Sequence, residues 1–406
     1  MFTVKPLLIL LTLNMPNIVF SLLKPAIYID NGDGQTAIDH FLNVDERKEM
    51  EDELLNLFGL PKRPHKFGSK PLSGAARNYL LNVYESLMEE EKDTSARRKR
   101  RNADLDISME EEARIEESDT IMTFESINYH DASLQHSKGK QIWFEFPSMS
   151  DVVGLELKIF QNGTGKFKHK FLITISQLVM LEDNSTHSIM FPILQMNTTN
   201  DFNGWLSVNL TSYLDNWSVY PSLYKGIHLT VSKPSTPNRE LSPHLIGLVT
   251  SRTKEDSHPF LVTFLKNTNT IQPQRRYKRN APTTKKKTFA DIYREPPAIS
   301  AGKLCQRHSL IVSFKELQWS DWIIAPEQYP AYFCSGECSF PLHNHMNASN
   351  HAIVQTLMHI NNPGRFPKPC CAPTNLQNIS VLYLIDERNV VLKKYKKMVV
   401  KSCGCQ

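Results

Sequence analysis

Seven cysteines, Cys305, Cys334, Cys338, Cys370, Cys371, Cys403 and Cys405, all fall in the last quarter of this 406-residue chain, and His343, His345, His351 and His359 lie among them. Thiols with imidazoles suit metal coordination or nucleophilic catalysis, and thiols alone suit disulfide formation. The spacings are CxxxC, CC and CxC, with no CxxC, so the usual zinc-finger ligand pattern is missing. No nucleophile or metalloprotease motif surrounds the Ser, Asp and His residues, and the histidines read as surface or interface groups. Disulfides remain. Cys370 and Cys371 are unsuited to bond each other, because neighbouring Cα atoms sit about 3.8 Å apart, below the usual disulfide range of roughly 4.4 to 6.8 Å. The odd count leaves one thiol for another molecule, and the other pairings stay open. If Cys334 met Cys403 and Cys338 met Cys405, the two short segments would close a ring. Gly336 and Gly404 would then keep it open enough for another disulfide to thread it.

Structural disulfides need an oxidising compartment. The opening "MFTVKPLLILLTL" places Lys5 before a short apolar run, too short to span a membrane and suited to a signal peptide over residues 1–23. Seven Asn-x-Ser/Thr sequons, Asn162, Asn184, Asn197, Asn209, Asn216, Asn347 and Asn378, agree with secretion, five of them within 55 residues. A 40% hydrophobic composition excludes global disorder. From Asn280 onward there are 15 Lys/Arg against 8 Asp/Glu, so this end is basic. With Lys285, Lys286 and Lys287 in "TTKKKT", it suits acidic matrix glycans such as heparan sulfate.

The elements that must position the cysteines come next. In "DERKEMEDELLNLFGLPKRP", Met50, Leu54, Leu57 and Phe58 recur at helical spacing before Gly59 and Pro61, predicting an amphipathic helix in need of an apolar groove. Residues 77–91 predict a second, so a helical arm is expected over about 40–95. The basic "RRKRR" and the acidic "DLDISMEEEARIEESD" read as a flexible linker over about 97–120. Over about 121–270, alternation at Leu155, Leu157 and Ile159, at Phe171, Ile173 and Ile175, and at Ile227, Leu229 and Val231 predicts a cysteine-free antiparallel β domain. Then "QRRYKRN" places Arg276, Lys278 and Arg279 in the Arg-x-Lys-Arg form cut by secretory convertases, whose acidic subsites select exposed basic loops. Cutting before Asn280 separates a propeptide, residues 24–279, from a 127-residue mature segment, residues 280–406, that keeps every cysteine. A second candidate cut follows Arg100 and Arg101.

The order CxGxC, CC and terminal CxC resembles the cystine-knot growth factors of the transforming growth factor β superfamily. "LQWSDWIIAPEQYPAYFCSGECSFPL", "NASNHAIVQTLMHI", "PKPCCAPT" and "VVLKKYKKMVVKSCGCQ" are similar to its bone morphogenetic protein branch, nearest the glass-bottom-boat (60A) and osteogenic-protein subgroup. The "ELLNLFGLPKRP" helix is similar to that subgroup's propeptide. The resemblance implies a small all-β cystine knot over 305–405 with one helix, paired Cys305 to Cys371, Cys334 to Cys403 and Cys338 to Cys405, with Cys370 joining two chains. It implies a prodomain of helices and an antiparallel β domain. It also implies a secreted homodimer, or a heterodimer with a related ligand, that brings type I and type II receptor serine/threonine kinases together and triggers Smad signalling without being an enzyme. The type I surface would use Trp319, Trp322, Leu342, Asn344 and Asn350, and the type II surface Ala325, Ser380 and Leu392. Further expected partners are its own prodomain, a convertase protease and secreted antagonists, with no cofactor, metal or nucleic acid. Two thin fingers cannot enclose a core, so disulfides must substitute; the Cys305 to Cys371 closure is worth about 4 kcal/mol. Ile353, Val354, Leu357 and Ile360 make an amphipathic helix whose apolar face the palm of a second chain would cover. Related ligands usually lack a sequon at Asn378, where a sugar would emerge beside Ser380, so this site is expected bare or partly occupied. The rival reading is a secreted cystine-knot antagonist or matrix module that binds growth factors without signalling. The long cysteine-free prodomain and convertase site favour the ligand precursor.

Overall fold

The computed structural model describes residues 26–30, 36–64, 74–92, 107–127, 137–145, 151–163, 168–180, 188–213, 224–250, 257–266, 304–342, 346–386 and 389–406. The expected signal peptide, Arg100 and Arg101, Asn184 and Asn216, the basic site at Arg276, Lys278 and Arg279, Lys285 to Lys287 and Asn344 lie outside the described residues.

A hairpin of β1 (Ala26–Asp30) and β2 (Thr36–Phe41), with no counterpart in the sequence reading, leads into α1 (Val44–Phe58). Asn43 and Glu46 exchange side-chain and backbone hydrogen bonds in a capping box that starts α1, and Gly59 at φ 74° ends it. α2 (Ala75–Lys92) and α3 (Met109–Glu117) follow. The acidic stretch expected to be a flexible linker over 97–120 is therefore ordered in its second half, where α3 runs into β3 (Thr120–Glu125). Ser108 caps α3, and Glu110, Glu111 and Glu112 occupy the first turn, where the helix dipole favours negative charge. Ile115 and Glu111 point inward. The Glu111 carboxylate accepts Tyr79 Oη at 2.5 Å and Lys158 Nζ at 2.7 Å, Lys158 also reaches Glu156 at 3.0 Å, and Arg114 pairs with Glu156. Every charge in this buried set has an opposite partner, as burial demands. Burial beside Glu111 pushes the Tyr79 hydroxyl well above its usual pKa.

The middle region contributes β4 (Lys140–Ile142), β5 (Val152–Gln161), β6 (Lys170–Met180), β7 (Ser188–Thr199), β8 (Gly204–Asn209), β9 (Tyr224–Lys233), β10 (Thr236–Leu241) and β11 (Phe260–Leu265). One sheet runs β10-β9-β6-β7, with β4 also on β9. Its inward side chains Phe171, Ile173, Ile175, Ile227, Leu229 and Val231 pack on Leu155, Leu157, Ile159, Leu206 and Val208 of the other sheet. The alternation read from the sequence is thus the inner face of a sandwich.

The C-terminal segment adds β12 (Gln306–His308), β13 (Ile311–Ser313), β14 (Ile323–Ala325), β15 (Gln328–Pro330), β16 (Phe333–Ser335), α4 (Asn350–Asn361), β17 (Cys371–Leu384) and β18 (Val390–Cys405). Strands β12 and β16 pair, as do β13 and β15, and β17 with β18 forms a long finger. The finger does not stand apart from the expected β domain. The second sheet of the sandwich has the order β14-β17-β18-β3-β11-β5-β8, so strands from both sides of the basic site share one sheet.

His228 on β9 is buried, and its Nε2 lies 3.2 Å from Ser137 Oγ, which donates to Glu240 at 3.1 Å. Burial lowers its pKa from 6.5, opposed by Glu240. The imidazole is held neutral in the folded chain while the unfolded chain takes up the proton first. Its stabilising contribution is therefore complete above pH 6.5 and declines as pH falls below that value toward the folded pKa. Denaturant unfolding of the uncleaved chain should show lower stability at acidic than at neutral pH, and His228→Gln should reduce that loss.

Candidate functional site

Three disulfides, Cys305 to Cys371, Cys334 to Cys403 and Cys338 to Cys405, hold the base of the finger, with Cα separations of 5.4, 5.7 and 5.8 Å. The sulfurs of Cys305, Cys338 and Cys405 lie within 4.8 Å of one another, but each is spent in a disulfide, so the cluster offers no thiolate to a metal. Gly336 has φ 121°. At Gly404, an added Cβ would lie 2.4 Å from the Asn347 carbonyl oxygen, so close backbone approach by the loop before α4 forbids a side chain there. Cys370 is the free cysteine among the described residues, and it is exposed. Reciprocal backbone bonds with Gln406, at 3.0 and 2.9 Å, fix its place.

The far end of the finger is enclosed by the N-terminal region on both faces. On one face, α1 inserts Leu55 and Phe58 among Phe314, Trp319, Trp322, Tyr329, Tyr383 and Tyr395. The Phe58 ring stands edge-on to Trp319 at 5.4 Å and Trp322 at 6.3 Å and lies 4.5 Å from Tyr395, within the favourable range for aromatic pairs. Its carbonyl accepts Tyr395 Oη at 3.0 Å and Lys393 Nζ at 3.1 Å, which satisfies an orphan group at the helix end with a cation where the dipole favours one. Burial lowers the pKa of Lys393 and raises those of Tyr383 and Tyr395. Just beyond, Arg63 bonds Asp321 at 3.1 Å, Glu51 at 3.3 Å and the Gln318 carbonyl.

The apolar stripe expected for α1 is rotated from the one observed. Leu55 and Phe58 are buried, whereas Met50, Leu54 and Leu57 are exposed on another side of the helix. Trp319 and Trp322, expected as exposed anchors, are only 2% and 1% exposed, with Phe58 of α1 packed against both. On the opposite face, Ala75, Ala76, Tyr79, Leu80 and Val83 of α2 cluster with Leu382, Leu384, Val390 and Leu392. Leu392 and Ser380 are buried and Ala325 is partly so, although these positions were placed on an outer surface by resemblance. The edge is closed by β3, which pairs Thr120 to Thr123 with Lys393 to Val390. Lys394 Nζ reaches the Ile115 and Glu116 carbonyls at the end of α3, and Lys396 pairs with Asp119 at 3.3 Å.

Leu342 is half-buried, Asn350 is exposed at the start of α4, and Ile353, Val354, Leu357 and Ile360 are exposed along it. Asn378 is exposed at an irregularity between β17 and β18, where its Oδ1 accepts the Lys397 amide at 3.2 Å. Asn347 is exposed and donates to the Cys403 carbonyl at 3.2 Å. Sequence reasoning named Phe58 but missed Leu55, Arg63, Lys393 and Tyr395 as one constellation. The unbroken apolar run over 381–385 was the available signal, because a strand covered on both faces shows no alternation. Truncating Phe58→Ala should cost about 3 kcal/mol, or roughly a 100-fold loss in affinity of the separated N-terminal region for the disulfide-bonded C-terminal segment, measured by surface plasmon resonance.

Residues 31–264 match the family described as TGF-beta propeptide, and residues 304–405 match the transforming growth factor beta like domain. "Protein 60A" of Drosophila virilis is 38% identical over 411 residues, covering 94% of this chain and 94% of that protein. "Protein 60A" of Drosophila melanogaster is 37% identical over 419 residues, covering 94% and 92%. "Bone morphogenetic protein 8A" of Homo sapiens is 31% identical over 382 residues, covering 90% and 91%. This family comprises signalling growth factors rather than enzymes. A propeptide that encloses a disulfide-knotted finger, and relatives aligned along nearly the whole chain, lead to one assignment: the chain belongs to the transforming growth factor β family, as a growth factor precursor of the bone morphogenetic protein and 60A type.

Proposed function

We propose that this precursor is secreted, cut by a convertase after Arg279, and held as a dimer through Cys370, and that the released ligand assembles type I and type II receptor kinases to drive Smad signalling. The observation that carries the reading is the burial of Trp319 and Trp322 beneath Phe58, together with that of Leu392 and Ser380 on the opposite face. Trp319 and Trp322 on one candidate receptor surface and Leu392 on the other pack against propeptide helices, as binding sites kept silent before release would, while Asn350 stays exposed. Trp319 and Trp322, with Leu342, Asn344 and Asn350, serve the type I receptor, and Ala325, Ser380 and Leu392 serve the type II receptor.

Dimerisation is supported by the exposed thiol of Cys370 and by the uncovered face of α4, which a second chain's palm would bury. No helix among the described residues is long and apolar enough to cross a membrane. Cleavage after Arg101 would sever α1 and α2 from α3 and leave both held by non-covalent contacts alone. Lys285, Lys286 and Lys287 then attract acidic matrix glycans, and the exposed Asn378 stays bare or partly glycosylated on the released ligand.

Arg279→Ala should stop release of the 127-residue fragment and abolish Smad phosphorylation in responsive cells, whereas alanine at Arg100 and Arg101 should leave release intact. A fragment of unchanged size from Arg279→Ala would refute the assigned cut. Cys370→Ser should preserve the intrachain disulfides but run as a monomer without reductant; a surviving reduction-sensitive dimer would show that another cysteine joins the chains.

A further inference from the structure

Each sheet of the propeptide sandwich ends in an open strand on the same flank. In the sheet orders β7 and β8 are terminal, and no other described strand pairs with their outer edges. Three hydrogen bonds bring the edges together: Thr198 Oγ1 donates to Gln161 Oε1 at 2.7 Å, Gln161 Nε2 to the Thr199 carbonyl at 2.8 Å, and Tyr213 Oη to the Ile193 carbonyl at 2.9 Å. Tyr213 ends the short 3-10 turn Thr211–Tyr213 that comes after β8, and Gln161 ends its neighbour β5.

These edges lack the defence that charge provides. An open strand offers unpaired backbone groups to another chain, and natural proteins blunt it with charge, proline, short length or a cover. β7 has 12 residues, "SIMFPILQMNTT", with one proline and no charge, and it exposes Met190 by 39% and Phe191 by 52%. β8, "GWLSVN", also carries no charge. At the far end of the five-stranded sheet, β10 is shorter than β7 and carries Arg239 and Glu240. The undefended flank is where the sequons gather. Asn197 lies on β7, Asn209 on β8 and Asn162 directly after Gln161, and all three are exposed. Thr211, the sequon hydroxyl of Asn209, donates to Asn209 Oδ1 at 2.7 Å and leaves the amide nitrogen free of that bond.

We propose that N-glycans on Asn197 and Asn209, aided by Asn162, are the edge protection of this sandwich and prevent propeptides from joining strand to strand. In the attachment step the asparagine Nδ2 forms a bond to the anomeric carbon of a lipid-linked oligosaccharide. The bond from that carbon to the lipid diphosphate breaks, the diphosphate leaves with the bonding pair, and the amide gives up a proton. The bulky, hydrated sugar then occupies the space a second strand would need. The inference rests on the secretory reading above.

The test compares the full chain with Asn197→Gln/Asn209→Gln and Asn197→Lys/Asn209→Lys, all secreted from animal cells. Both pairs lose the sugars, but lysine restores a charge to each edge. The glutamine pair should show a several-fold larger fraction of species above the disulfide dimer by size-exclusion chromatography with light scattering, and the lysine pair should match the parent. Should the glutamine pair not be secreted, parent chain bearing oligomannose glycans is trimmed after folding by an endoglycosidase that leaves one sugar per site, and the same increase is expected. Unchanged assembly after trimming or substitution, or equal association of the lysine and glutamine pairs, overturns the proposal. Glycopeptide mapping separates its failure from that of the secretory reading. Bare Asn197 and Asn209 with sugar elsewhere defeats edge protection alone, and a secreted chain without any N-glycan defeats both.

Discussion

Four residue pairs between β3 and β18, Thr120 with Lys393 through Thr123 with Val390, are the contact on which the uncleaved chain depends. A two-stranded finger has a free edge and two faces and is marginal on its own. Cystines fasten one end of this finger, at Cys371, Cys403 and Cys405. The pairing with β3 fastens the other and makes the finger part of the propeptide's sheet. Only then do α1 and α2 have fixed positions on opposite faces, each completing a cluster that finger strands begin.

This arrangement accounts for side chains that would be odd on an isolated ligand. Val381, Tyr383 and Val391 face one cluster while Leu382, Leu384, Val390 and Leu392 face the other, so consecutive residues are apolar on both strands. The same stretch carries Lys393, Lys394 and Lys396, and the propeptide meets each with a helix-end carbonyl or with Asp119. The described contacts between the two parts are non-covalent. A cut in the basic stretch before Asn280 would remove none of them, so liberation of the segment after it would be a second event, opposed by the packing of Phe58 and Tyr79.

Local pattern carried much of this architecture into view. Alternation at Leu155, Leu157 and Ile159, or at Ile227, Leu229 and Val231, needs only the two-residue period of a strand with one buried face. Helical spacing before Gly59 was enough for α1. Where the reading departed from the structure, the deciding partner lay far away in sequence. The acidic run around Glu111 resembles a solvated linker until Lys158 and Tyr79 supply a cation and a hydroxyl. The docked side of α1 is set by Trp319 and Tyr395, which lie more than 250 residues away.

By itself the sequence determined the properties that depend on residue type and near-neighbour spacing: a cysteine framework with an odd thiol, amphipathic helices, an alternating β region, and a family resemblance concentrated in residues 305–406. Tertiary structure decided which surfaces those elements cover. It joined β3 to β18, turned Leu55 and Phe58 rather than Met50, Leu54 and Leu57 toward the finger, and placed β7 and β8 at the ends of their sheets among the described strands. The reason is physical: strand pairing and helix docking are chosen by complementarity between distant surfaces, and periodicity within a segment specifies that a face is apolar without specifying what will meet it.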